Sequence, residues 1–323
     1  MNIIIGTHAL LFNKAKFDNL GLVVIDEQHR FGVEQRASLI QKGRSPHTFI
    51  MTATPIPRTI CLTLYGDLDI SVIKQMPAGR LPAKTWVVPP EKRLPGYRWI
   101  AEQIKQNKQQ AFIVCPFIDE SDKESMKNIK AAKQEFETLS KKIFPQFKLG
   151  LLHGKLKAKE KEKVINAFRD KKMDILVATP VVEVGIDIPE ANIILIEGAD
   201  RFGLAALHQL RGRVGRRDKQ SYCLLFSSQV GKSYQRLKLL EKYHNGLKLA
   251  EMDLKMRGGG DIYGTAQHGF VNFRLARFDN LKMVENTKRA AQWTLNKMLK
   301  NPSSFLLLKE KLKKDTIKEI EPN

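Results

Sequence analysis

Cysteine is nearly absent. Cys61, Cys115 and Cys223 are odd in number, lie far apart and form no CxxC pair. That excludes a disulfide framework and a cysteine-based zinc site, and it fits a reducing compartment. Long apolar runs are absent too. No stretch approaches the roughly 18 residues of a membrane span, so no membrane partner is expected. Residues 1–5 are too short for a secretion signal and lack its basic flank. Ile3-Ile4-Ile5 is expected to be a strand, and a chain that opens inside a sheet is expected to have more polypeptide before it. Acid is scarce relative to base: 34 Asp and Glu face 55 Lys and Arg, giving a formal charge of +21 and a pI near 9.8. Such a surplus points to a polyanionic partner, most often nucleic acid, with a solubilising lysine surface as the bland alternative. The surplus is uneven, net +3 over residues 1–80 and +18 over the rest. One phosphate-binding pattern is also lacking. Gly231-Lys232-Ser233 mimics the end of a P-loop, but Phe226 stands where its first glycine must be, and no Walker A pattern occurs elsewhere.

A chain of 323 residues has room for two domains, each with its own core. Its organising stretch is Leu22-Val23-Val24-Ile25-Asp26-Glu27-Gln28-His29. The short, β-branched apolar run predicts a strand buried on both faces. Asp26 and Glu27 then fall at the carboxyl end of that strand, where open α/β sheets hold their ligands. Two acids there suit a magnesium–nucleotide site, one holding the metal and its neighbour orienting the attacking water. The pattern alone leaves open a solvated Asp-Glu turn.

Other expected strands of this first segment end in small or hydroxyl residues, at Gly6-Thr7-His8 and Thr52-Ala53-Thr54. Such ends let a phosphate chain approach the backbone. Residues 9–15 and 58–65 read as helices, and the alternation implies a parallel sheet. Residues 77–82 read as a linker. A second α/β series follows, with strands at 85–88, 111–115, 147–152, 174–178 and 193–196 and helices at 125–142 and 159–168. The lysines of residues 123–172 read mainly as a solvated helix face. Arg213 and Arg216, three apart and so on one face of a helix-like turn, can neutralise charge on a transferring phosphoryl group. The alternative is a basic turn that binds phosphate loosely. Residues 234–243 and 246–256 read as a helical hairpin, and Gly258-Gly259-Gly260 cannot lie inside a helix. Residues 281–299 read as a polar amphipathic helix and 309–318 as a charged tail.

These segments carry a family resemblance. Asp26-Glu27-Gln28-His29 resembles the DExH box of superfamily-two helicases, Thr52-Ala53-Thr54 their motif III, and Gly6-Thr7 their motif Ib. The stretch from Thr179 to Pro189 resembles motif V, and Gln209-Leu210-Arg211-Gly212-Arg213-Val214-Gly215-Arg216-Arg217 resembles motif VI. The stretch from Asp253 to Gly269 is similar to the hairpin-plus-loop translocation element shared by RecG-type branch-migrating helicases and the transcription–repair coupling translocases. Met76-Pro77-Ala78-Gly79-Arg80, Phe117-Ile118-Asp119-Glu120-Ser121, Leu152-His153-Gly154-Lys155-Leu156-Lys157 and Ala206-Leu207-His208-Gln209 favour the RecG type. Two departures stand out. Gly258-Gly259-Gly260 replaces Gly-Pro-Gly, and Ala266 replaces an arginine in Gly-Thr-Arg-Gln-Ser-Gly, which removes one polar group of the loop.

The resemblance implies an α/β fold of two recA-like lobes with parallel sheets, the first incomplete, followed by a helical hairpin and loop. It places the first-lobe part at 1–80, the second lobe at 81–230 and the carboxyl-terminal element at 231–323. It implies ATP and Mg2+ as cofactors and branched or duplex DNA as partner. The implied activity is ATP-driven translocation that remodels stalled forks and Holliday junctions in recombination and repair, by a monomer in the bacterial cytoplasm on the nucleoid. Asp26 becomes the magnesium ligand, Glu27 the water-activating base, His29 the last residue of the box, and Arg213 and Arg216 the arginine fingers. Gly185, Asp187, Gln209, Thr52 and Thr54 are implied to face the nucleotide, and Gly6, Thr7, Thr179, Arg257 and Gln267 the DNA or its translocation. A RecG-type enzyme would begin with a wedge domain and a Walker A motif. The chain is therefore expected to be a carboxyl-terminal portion, from a split gene or a truncated reading frame, and silent in ATP hydrolysis by itself.

Overall fold

The computed structural model describes the chain apart from residues 1, 13–14, 29–30, 54–68, 74, 76–78, 80, 117–125, 181–190, 216–218, 258–280 and 317–323. It divides into two compact units, one formed by Met1–Ile70 with Gly258–Asn323 and the other by Ser71–Arg257. The helical hairpin expected to open a third segment at 231 lies within the second unit. The expected helix at 58–65 lies outside the described residues.

In the first unit, β1 (Leu22–Ile25) pairs in parallel with β2 (His47–Ile50), joined through α1 (Val33–Ile40). Parallel pairing needs such a crossover. The expectation of a strand buried on both faces fails. Val23 and Ile25 are buried, but Leu22 and Val24 are 58% and 52% exposed, and Phe49 of β2 is exposed beside them. A strand with one paired neighbour and one covered face buries alternate residues only. Ile3-Ile4-Ile5 is not a strand either; its side chains are exposed and it joins no ladder. The helix expected over 9–15 is a single 3-10 turn, His8–Leu11. The Lys42 ammonium holds this turn down by donating to the carbonyls of Leu10 (2.9 Å), Phe12 (2.7 Å) and Ala15 (3.1 Å). Two further helices, α8 (Leu281–Lys300) and α9 (Leu306–Thr316), belong to this unit. The second replaces the expected charged tail.

The second unit is a six-stranded, all-parallel sheet. Its strands are β3 (Lys84–Val88), β4 (Gln110–Val114), β5 (Leu149–Leu152), β6 (Ile175–Ala178), β7 (Ala191–Ile196) and β8 (Tyr222–Phe226), in the order β3-β8-β7-β4-β6-β5. Strands β4, β6 and β7 are buried along their whole length, whereas edge strands β3 and β5 alternate. Position in the sheet explains the pattern, because only interior strands are covered on both faces. One face packs Ala111 and Ile113 against Ile100 and Ile104 of α2 (Arg93–Asn107), and against Leu139 and Phe144. Leu139 opens and Phe144 caps the π-helical turn that follows α3 (Met126–Thr138). The other face packs Phe112 and Val114 against Phe168 of α4 (Ala158–Arg169), Leu204, Leu207 and Leu210 of α5 (Leu204–Arg211), Leu237 and Leu240 of α6 (Lys232–Lys242), and Leu249 of α7 (Gly246–Arg257). Glu241 of α6 also protects the sheet edge, accepting from the outward Val87 amide at 2.5 Å.

Candidate functional site

The carboxyl ends of the strands carry the predicted chemistry, unit by unit. In the first unit Asp26 follows β1 directly. Its Oδ1 accepts from the Glu27 amide at 2.8 Å, and the carboxylate is exposed. Glu27 adopts a left-handed backbone, φ 52°. That is a strained state for a residue with a side chain, and such strain gathers at functional sites. The bend is anchored behind the acids: the Met51 amide donates to the Ile25 carbonyl at 2.8 Å and the Gln28 amide to the Met51 carbonyl at 3.1 Å. Gln28 is buried. Thr52 follows at the end of β2, so the acid pair and the first hydroxyl of the Thr-Ala-Thr triplet leave adjacent strands. Thr54 and His29 lie outside the described residues.

Gly6 and Thr7 precede the 3-10 turn. The Thr7 Oγ1 accepts from the Ala9 amide at 3.5 Å, which leaves its own proton for a phosphate. A Cβ on Gly6 would meet Leu10 Cγ at 2.8 Å. Packing against Leu10 thus already requires that glycine.

In the second unit Thr179 follows β6 and His153 follows β5, joined by the Thr179 amide donating to the Leu152 carbonyl at 3.2 Å. Thr179 is 3% exposed, and its hydroxyl has no hydrogen-bond partner among the described residues. A buried, unsatisfied hydroxyl at a strand's carboxyl end is costly unless a ligand completes it. Gln209 lies on α5. That helix stops at Arg211, so Arg213 stands in the turn beyond it, half-buried, rather than on a continuing helix. Gly215 then takes φ 76° with the Ser221 hydroxyl 2.3 Å from where a Cβ would lie, and only glycine fits. Arg216, Gly185, Asp187 and Gln267 lie outside the described residues, and for Arg257 only its place at the end of α7 is described.

Two clusters escaped the sequence reading. Arg211, 5% exposed, donates to the carbonyls of Leu240 (2.6 Å) and Tyr243 (3.1 Å) and lies 2.9 Å from His208 Nδ1. It ties α5 to the end of α6. Burial, then the charges of Arg211 and His244, pushes His208 down to about 4, so the ring is neutral at pH 7 and Nδ1 accepts. Arg236 adds a second tie, donating to the carbonyls of Asp200 (3.0 Å) and Phe202 (2.9 Å) and pairing with Asp253. The second cluster lies at the end of β7. Buried Glu197 accepts from both Arg93 and Tyr97 of α2, and the Arg93 guanidinium covers the Phe226 ring. Burial raises the Glu197 carboxyl, while Arg93 and Tyr97 pull it back. The only sequence signal for either cluster was a polar residue in an apolar helix or just after an apolar strand.

The lysine-rich stretch behaves as a solvated face. Lys141 pairs with Glu137 one turn away, and Lys172 with Asp170, all well exposed. Cys115 and Cys223 are buried free thiols. Among the described residues no group of three or more metal-ligating side chains occurs, and no helix is long and apolar enough to cross a membrane.

Residues 1–62 match the DEAD/DEAH box helicase family, and residues 96–218 match the helicase conserved C-terminal domain. Together with the parallel sheets and the acid pair, this defines the class: the chain belongs to the DExH-type helicases of superfamily two. Within that class it belongs with the RecG helicases and corresponds to their carboxyl-terminal portion. It is 49% identical to the ATP-dependent DNA helicase RecG of Synechocystis over 302 residues, covering 93% of this chain and 36% of that one. It is 45% identical to the RecG of Aquifex aeolicus over 329 residues, covering 99% of this chain and 40% of that one. The structure of RecG bound to a three-way DNA junction superposes with a TM-score of 0.64 at 45% identity, covering 87% of this chain and 36% of that one. Dbp5 of S. cerevisiae, bound to RNA and ADP BeF3, superposes at 0.53 with 14% identity and speaks only to the fold. The chain thus spans about two fifths of the length of the curated relatives it matches.

Proposed function

We propose that the chain is the carboxyl-terminal part of a RecG-type translocase that couples ATP hydrolysis to movement on branched or duplex DNA and so remodels forks and junctions. The observation that carries this reading is the Asp26-Glu27 pair, set at the carboxyl end of β1 with Glu27 in a left-handed backbone. Magnesium is usually held by one or two carboxylates plus phosphates and water. Asp26 suits that mode, since one oxygen takes the Glu27 amide and the exposed carboxylate keeps a free oxygen for the cation. When bound, the ion would neutralise charge on the transferring phosphoryl group. Glu27 would take the proton of the attacking water. Thr52, Thr54, Gly185, Asp187 and Gln209 would report the nucleotide state, and Arg213 with Arg216 would meet the γ-phosphate. Gly6, Thr7 and Thr179 would touch the DNA backbone, the Thr179 hydroxyl gaining its partner there, and Arg257 and Gln267 would serve translocation. We place the protein in the bacterial cytoplasm, acting as a monomer on nucleoid DNA.

No P-loop pattern occurs in the 323 residues. Turnover therefore needs a polypeptide that supplies one, and this chain alone should bind DNA without hydrolysing ATP. The test has two arms. Fluorescence anisotropy with a labelled three-way junction should show binding that weakens steeply with salt. Phosphate release should be absent for the chain alone and should appear when a P-loop-bearing RecG segment is added, then vanish with Glu27→Gln. Robust turnover by the chain alone, or DNA affinity indifferent to salt, would overturn the reading.

A further inference from the structure

We infer that His8 is a positioning residue that relays DNA contact at Gly6-Thr7 to the Asp26-Glu27 bend through its stack on Phe31. The inference deepens the proposed function and rests on its reading of Gly6-Thr7 as a DNA contact. The His8 and Phe31 rings lie 4.3 Å apart and 13° from parallel. They belong to separate segments of the chain, and each ring sits at one end of a short lever.

On the first lever, His8 opens the 3-10 turn that Thr7 caps. The Lys42 ammonium pins the far end of that turn and the backbone beyond it to the end of α1. With Leu10 packed against Gly6, the turn has little freedom to absorb a push at Thr7. On the second lever, the Phe31 amide donates to the Gln28 carbonyl at 3.0 Å, and the Phe31 carbonyl accepts from Arg36 at 3.4 Å. Gln28 is itself buried and fixed to the Met51 carbonyl. The Phe31–Gln28 hydrogen bond therefore ties the backbone carrying the Phe31 ring to the residue next to Glu27. Packed side chains and hydrogen-bonded turns carry coupling where they link two responsive elements. Here the elements are the Thr7-capped 3-10 turn, read as meeting phosphate, and a strained, left-handed acid. His8 touches no reacting atom in this scheme. Its imidazole serves as a flat surface, and the relay requires only that a ring remain on Phe31.

Hydrogen exchange on the full chain, with and without a duplex oligonucleotide, tests the relay without needing ATP turnover. In the wild type, amides of residues 22–31 should exchange about fivefold more slowly once DNA binds. His8→Ala should abolish that slowing while DNA affinity stays within about twofold. His8→Tyr, which keeps a ring on Phe31, should restore it. Phe31→Leu breaks the stack from the other side and should copy His8→Ala, which guards against a local folding defect at the 3-10 turn. Undiminished slowing in both His8→Ala and Phe31→Leu would overturn the relay, as would DNA binding by the wild type with no slowing at residues 22–31. Absence of DNA binding by the wild type would overturn the functional reading beneath it, and the relay with it.

Discussion

Replacing Arg211 by Met should detach the α6–α7 hairpin from α5. The residue is 5% exposed, and its partners among the described residues are the carbonyls of Leu240 and Tyr243 and the His208 ring. Methionine fills similar volume but donates nothing. Two carbonyls and one ring nitrogen then lose their donor, at about 1–3 kcal/mol each for a buried group. Against that stands the cost of burying the charge in the wild type, several kcal/mol that the variant no longer incurs. The balance is a net loss of about 3 kcal/mol, the middle of the range for cutting a buried polar tie. Because the tie joins one hairpin to one helix, the loss should appear first as local opening. A 3 kcal/mol loss raises the open population by about two orders of magnitude. Amide exchange in Lys232–Lys242 and Gly246–Arg257 should accelerate by that factor, while the fully buried strands β4 and β7 hold. Arg211→Lys, whose ammonium reaches fewer acceptors, should fall between the two. An Arg211→Met protein whose hairpin exchanges as slowly as the wild type would refute the reasoning, and Arg211 would then be a buried charge of no mechanical consequence.

Other expected outcomes follow from the same geometry. His208 is depressed to about 4 in the folded protein, so below its ordinary value of about 6.5 the unfolded chain takes up the proton first. Its contribution is complete above about 6.5, is lost as pH falls from there to about 4, and amounts to about 2–3 kcal/mol; urea titrations at several pH values should show the wild type losing stability over that window relative to His208→Gln. Glu197→Leu strands the Arg93 guanidinium and the Tyr97 hydroxyl at the end of β7 and should cost about 3 kcal/mol in urea unfolding, whereas a variant with Arg93 and Tyr97 also made apolar should recover much of it. In a preparation that hydrolyses ATP, Arg213→Ala and Arg216→Ala should each reduce turnover by about 10³-fold or more with DNA affinity largely intact; unchanged hydrolysis in either would remove the finger assignment. Thr179→Val keeps the shape and removes the unsatisfied hydroxyl. Stability should hold or rise by up to about 1 kcal/mol while DNA affinity falls, and unaltered affinity would argue against a ligand at that hydroxyl.

The readable part of this chain was the part written in local pattern. Apolar runs ending in Asp-Glu, Thr-Ala-Thr and His-Gly mark strands whose carboxyl ends carry chemistry, and β1, β2 and β5 lie where those runs put them. The glycine-rich turn that carries Arg213 after α5 was legible for the same reason, since glycine and arginine spacing is a sequence property. Misreadings arose where a residue's state depends on what covers it. Ile3-Ile4-Ile5 has the composition of a strand but no partner ladder, and the exposed Leu22 and Val24 look in sequence like the buried Ile194 and Ile196. Arg211 and Arg213 stand two apart in one motif. The first is a clamp sealed inside the fold, and the second remains half-buried in a turn.

Sequence by itself determined the class, the two parallel α/β units, the acid pair and the absence of a P-loop, because each is fixed by neighbouring residues along the chain. Tertiary structure alone decided which arginine is structural, which threonine hydroxyl is buried with no partner among the described residues, and that His8 lies on Phe31. Those facts depend on crossovers and helix packing that bring distant segments within a few ångströms, and one-dimensional spacing does not encode such distances.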